Sequence, residues 1–182
     1  MDLAVHSAAL CVSGKPVKQD LICNQQTLPE GELRYGLRRS ADTGCGWIAT
    51  YNALLILGKQ VDKEALIRYY ERQLPLIHGN TGTSFWGPAV FFKQQGFTVK
   101  TTMRRNQFDA LAEQARVCVL FYRWRRGIRM GAHFVALHKT DRGFVGYNTY
   151  KNSNGPDLYG PSLESFLKQR GYFGAVLMGI NE

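Results

Sequence analysis

The sequence has little of what would take it out of the class of compact globular domains. No apolar run approaches the roughly 20 residues that a membrane-spanning helix requires, so no membrane span is expected. Cysteine is sparse: Cys11, Cys23, Cys45 and Cys118 are the only four in 182 residues, no two form a C-x-x-C pair, and the nearest two are twelve residues apart. That spacing argues against clustered zinc ligation and a secreted disulfide framework, and fits reduced thiols in a cytoplasmic protein. The amino terminus lacks the basic segment of a secretory signal, with Asp2 in its place and His6 and Ser7 interrupting the apolar residues before Val12. Acidic residues are in deficit, 14 Asp and Glu against 23 Lys and Arg, which leaves a formal net charge of +9. Such an excess attracts anions and says nothing about fold, so nucleic acid enters as a partner to be weighed. Nothing implies a metal or an organic cofactor.

What is present is an ordinary core-forming composition, 45% hydrophobic, 12% aromatic and 20% charged. A chain of this length buries roughly 70% of its unfolded surface around one core. Its periodicity changes along the way. From about 42 to 95 it reads as helices: Ser40, Asp42 and Thr43 are caps ahead of a run over 45–57 that is apolar on nearly every side and closed by Gly58; Asp62 caps a second helix to about Leu74; a third runs from near Ser84 to Gly96. Beyond Gly96 the period is two, with strands expected over 97–102, 117–124, 132–138, 144–150 and 172–180. Two helices interrupt them, over 106–115 and 162–170. Closely connected consecutive strands pair antiparallel, so the expected fold is α+β, a helical lobe followed by a mostly antiparallel β lobe with a cleft between. Residues 1–39 form a leading segment of unassigned structure and 40–182 the domain.

Cys45 stands out because caps precede it, Gly44 and Gly46 flank it and a buried helix follows. A thiol in the first turn of a helix meets the positive end of the dipole and free N–H groups, which lower its pKa toward the thiolate. The flanking glycines remove side chains that would block a substrate. The plainer role for Cys45 is that of a small core residue at a tight helix start. A nucleophilic thiol needs a base, and His133 sits in the strand run Gly131-Ala132-His133-Phe134-Val135. After the turn at Asp141-Arg142-Gly143, a hairpin centred between Asp141 and Arg142 sets Asn148 opposite Val135 and diagonal to His133, within reach to orient its ring. His138, beside the turn, is the competing base.

These segments resemble the papain-like cysteine peptidases. Thr43-Gly44-Cys45-Gly46-Trp47 is similar to their nucleophile segment, and Ala132-His133-Phe134-Val135 with Tyr147-Asn148 is similar to their His and Asn segments. The small size is nearest to the compact bacterial branch that includes the double-glycine leader peptidases of bacteriocin export. The resemblance implies a papain-like fold over roughly residues 40 to 180, with Cys45 as nucleophile, His133 as base and then acid, Asn148 as the orienting residue, and the Cys45 N–H as half of the oxyanion hole. Where the family has an oxyanion glutamine about six residues before the nucleophile, this chain has Arg39; Gln25 or Gln26 could serve by folding back. The Trp stands two residues after the Cys, where the family has it directly following, and is read with the substrate-binding residues.

Seven arginines fall between Arg104 and Arg129 against two acids, Asp109 and Glu113. Arg123, Trp124 and Arg125 lead into His133 and are candidates to bind an acidic substrate, the other role for the stretch being a solvated hairpin tip. No nucleic-acid module accompanies them, so nucleic acid is the weaker partner. The leading expectation is a thiol hydrolase, a cysteine peptidase cleaving a peptide amide in a peptide or protein substrate. The same triad could run acyl transfer or deamidation. From a different class, the chain could be a catalytically silent papain-like binding module for acidic partners.

Overall fold

The computed structural model describes residues 20–29, 33–72, 82–150 and 153–182. A two-stranded hairpin, β1 (Arg34–Tyr35) and β2 (Arg38–Arg39), leads into α1 (Ser40–Thr43), α2 (Cys45–Ile56), α3 (Lys63–Arg72) and α4 (Gly87–Gln94). Then follow β3 (Thr98–Thr102), α5 (Phe108–Gln114), β4 (Val117–Arg126), β5 (Arg129–Thr140), β6 (Gly143–Tyr147), β7 (Asp157–Gly160), α6 (Leu163–Gln169) and β8 (Phe173–Asn181). The fold is α+β, and every pairing between the described strands is antiparallel.

The main sheet has six strands in the order β3-β8-β4-β5-β6-β7. Because strand side chains alternate, β4 sends Val117, Val119 and Phe121 to one face and Cys118, Leu120 and Tyr122 to the other. The first set packs with α2, α3 and α4, and the second with α5 and α6. The helices therefore cover both faces, and the expected division into a helical lobe and a β lobe gives way to three layers. Helix α2 is the central one: Gly46 through Leu54 are all buried, as its all-round apolar sequence requires. Gly58, at φ +74°, takes the left-handed conformation that ends it, with Lys59 N–H donating back to Leu54 C=O at 2.9 Å.

Several boundaries differ from expectation for local reasons. Ser40, Asp42 and Thr43 do not cap α2, because they form α1 themselves and the cap position falls to Gly44, which has no side chain to contribute. Helix α4 starts at Gly87, where Pro88 fits the first turn. Asn106 lies inside a short 3-10 turn, Arg105–Gln107, and leaves the start of α5 uncapped. Strand β6 stops at Tyr147 and not at Tyr150, since Asn148 turns away at φ +63°. Asp62 caps as expected, accepting from the N–H of Ala65 at 3.0 Å, and Ser162 caps α6 by accepting from the N–H of Ser165 at 3.2 Å. Expectations for Cys11, for Leu74 and for the stretch 73–81 lie outside the described residues.

Candidate active site

Cys45 opens α2 at a very tight chain crossing. A Cβ on Gly44 would lie 2.5 Å from the Ser40 carbonyl oxygen and 2.6 Å from the Trp47 indole nitrogen, and one on Gly46 would lie 2.3 Å from Thr83 Oγ1. The two glycines therefore let the chain close on itself. Trp47 is fully buried, donates from Nε1 to Ser40 Oγ at 3.1 Å and meets Tyr51 edge-on, so it belongs to the core and offers no surface to a substrate.

The backbone N–H groups of Phe134, Gly46 and Cys45 itself lie close enough to the Cys45 sulfur to favour its charged form. The first brings it against the peptide that joins His133 to Phe134, and so joins the head of α2 to β5. These donors favour the thiolate, but loss of solvent outweighs them and pushes the thiol up to about 11. The lowering anticipated from the helix dipole is overturned by burial.

His133 pairs with Tyr122 across β4 and β5, the two rings 5.9 Å apart and edge-on. Its Nε2 lies 2.5 Å from the backbone oxygen of Asn148. A carbonyl only accepts, so Nε2 carries the proton and Nδ1 the lone pair. Burial lowers the His133 pKa, with the Asn148 carbonyl pulling in the opposite direction. No hydrogen bond joins the ring to the Cys45 sulfur: His133, opposite Tyr122, stands on the sheet face that carries α5 and α6, whereas the thiol packs with Phe134 on the face that carries α2.

The expected hairpin register holds: Thr140 pairs with Gly143 and Ala136 with Tyr147, which carries Asn148 to the position opposite Val135. Its positive φ then breaks the alternation, so the backbone oxygen faces His133 and the side chain goes elsewhere. Asn148, 1% exposed, accepts from the Gln25 N–H at 2.8 Å and donates from Nδ2 to Gln25 Oε1 at 2.9 Å. Gln25 in turn donates from Nε2 to the Ala41 carbonyl at 2.7 Å, and Gln26 to the same oxygen at 2.6 Å. Asn52, fully buried in α2, fixes this leading segment by accepting from the N–H of Ile22 and donating to its C=O. The expected oxyanion donors are thus spoken for: Gln25 and Gln26 tie the segment to α1, and Arg39 pairs with Asp42 at the surface. A residue absent from the sequence expectations feels the thiol's charge. Tyr35 is fully buried, bonds Thr83 Oγ1 at 3.0 Å, and its phenol is raised first by burial and further by the charge of Cys45. Only its position ten residues before the thiol hinted at it.

His138, the competing base, is half-buried and stacked on Tyr147, with Nδ1 lacking a hydrogen-bond partner; burial lowers its pKa too. The sign of the pH effect follows. Below 6.5 the unfolded chain binds protons at His133 and His138 that the folded chain resists, so stability falls as pH drops. The urea midpoint at pH 5 is expected below that at pH 7, with a smaller gap in His133→Ala; an equal gap would dissociate His133 from the effect.

Arg123 and Arg125 are exposed and Trp124 half-buried, its ring covering Gly131. Among the described residues, no group of His, Cys, Asp or Glu is placed to hold a metal, and no helix is long and apolar enough to cross a membrane. Comparison with models of known protein families and with curated proteins finds no match.

Proposed function

We propose that the chain is a papain-like thiol enzyme that works through an acyl intermediate, a cysteine peptidase in the first instance. One observation carries the reading: the thiol at the head of the central buried helix packs beside Phe134, the next residue in the chain after a histidine whose ring is fixed through Nε2. With the thiol pushed up to about 11 and the imidazole neutral at pH 7, no ion pair forms at rest. For His133 to take the thiol proton as Sγ attacks the substrate carbonyl, its ring, which faces Tyr122 on the α5–α6 side of the sheet, turns toward the α2 side, and the base then works in step with the nucleophile. The Cys45 N–H and the Tyr35 hydroxyl receive the oxyanion. The C–N bond breaks as the proton passes from Nδ1 to the leaving amine, which leaves a thioester on Cys45. Water attacking that thioester completes hydrolysis; another amine acceptor gives acyl transfer, and a side-chain amide as substrate gives deamidation.

The absent Cys45–His133 hydrogen bond favours the second reading, a catalytically silent module of the same fold that binds acidic partners. An acylation burst with p-nitrophenyl acetate separates the two. The enzyme gives a stoichiometric burst whose rate rises with pH through a pKa below 6.5, that of His133, and then levels off. A silent module gives only the slope of an unassisted thiol, still climbing toward pH 11.

A further inference from the structure

The sheet face that carries α2 does not end where the helix ends. On β4, Phe121, Arg123 and Arg125 follow one another on that face, paired across β5 with Phe134, Ala132 and Met130. Phe121 and Phe134 are buried with their rings 4.9 Å apart, whereas Arg123, Ala132, Arg125 and Met130 are exposed. The Phe121 ring is met from above by Phe85, at 6.1 Å, which in turn leans on Trp86 at 4.9 Å. Both rings keep more than a third of their surface in water. They belong to the stretch that begins at Thr83, packed on Gly46, and Cys45 packs against the apolar cluster that holds Phe121 and Phe134. An apolar wall and a row of guanidinium groups thus begin beside the thiol and run outward on one surface.

The charge is one-sided. Residues 117–140 contain no Asp or Glu, and among the described residues none of Arg123, Arg125, Arg126 or Arg129 makes an ion pair. The spacing is also specific. Positions i and i+2 of a strand lie about 6.6 Å apart, and an extended peptide laid along it repeats at the same interval. We propose that this shelf is the specificity subsite of the thiol site, selecting extended peptides with an aromatic or large aliphatic side chain on Phe85 and Trp86 and a carboxylate two residues away on Arg123. The proposal rests on the thiol-enzyme reading. Arg binds a carboxylate through its two-pronged fork. A peptide is favoured over single-stranded nucleic acid because the two exposed rings are tilted 43° to each other and form no continuous platform for successive bases.

The test is binding of short fluorescent peptides to the full chain carrying Cys45→Ala, with Phe-x-Glu, Phe-x-Gln, Ala-x-Glu and Phe-x-x-Glu cores. Phe-x-Glu is expected to bind at least about tenfold tighter than each of the others, because each lacks the anchor, the charge or the spacing. Arg123→Gln should erase the Glu-over-Gln preference, and Trp86→Ala the Phe-over-Ala preference. If Trp86→Ala fails to fold, the exposed Arg123→Gln still decides. Equal affinity across the panel, no binding at all, an unchanged Glu preference in Arg123→Gln, or tighter binding of an oligothymidine each overturns the proposal. The acylation burst is read separately on the unaltered protein: discrimination without a burst retains the shelf and removes the enzyme, and a burst without discrimination does the reverse.

Discussion

A His133→Ala protein is expected to lose its acylation burst at pH 7 by 10²- to 10⁴-fold, the usual worth of a positioned general base, while its fold survives. The reason lies in the high thiol pKa. With Cys45 pushed up to about 11, the thiolate is scarce at neutral pH and the rate depends on a base that removes the proton as attack proceeds. The residual rate of the variant should climb steadily with pH toward 11, where the unaltered protein has long levelled off. Cys45→Ser, which keeps the size of the side chain and weakens the nucleophile, should show no burst at all. If His133→Ala acylates at the rate of the unaltered protein at pH 7, the base assignment is wrong, whatever the rest of the site does.

The second large effect is expected at Gln25, far from the thiol in sequence. Gln25→Ala strips Asn148 of its side-chain acceptor and leaves a buried Nδ2 unpaired, which costs about 1–3 kcal/mol. Tyr147 ends β6 and Asn148 is free of the ladder, so the Gln25 contacts are what hold its carbonyl against His133 Nε2. The burst rate should fall at least about tenfold, measured well below the unfolding temperature. Position 148 separates the contribution of backbone from that of side chain. Asn148→Gly keeps the left-handed conformation and the carbonyl, whereas Asn148→Val opposes that conformation; the glycine variant should acylate faster than the valine variant. Unaltered activity in Asn148→Val would remove the carbonyl from the site.

How far the sequence could reach is visible at these same residues. Helix α2 was legible because an all-round apolar run between glycines has one physical solution, and the β5–β6 register because Asp141-Arg142-Gly143 gives the hairpin a centre. What Asn148 does was not: a residue opposite Val135 in register is predicted to project along the strand, and only its φ of +63° turns the backbone into the contact. Gln25 was named for another task, and its pairing with Asn148 spans 123 positions, beyond any local pattern. Burial of the Cys45 sulfur depends on β5 arriving from elsewhere, so the dipole argument predicted the wrong direction. Strand β7 (Asp-Leu-Tyr-Gly) and the hairpin before α1 are too short and too polar to announce themselves by alternation.

Strand β8 lies between β3 and β4 and pairs with both. The segment 173–181 therefore joins a strand that follows the helices to the hairpin that carries His133, across about 80 and about 60 residues of chain respectively. Contacts of such separation form late in folding. Until they do, β3 has no partner in the sheet and β4 presents a long open edge of Val117, Val119 and Phe121, an invitation to pair with another chain. Aggregation during refolding should accordingly respond to substitutions in β8 more sharply than to any in the thiol site.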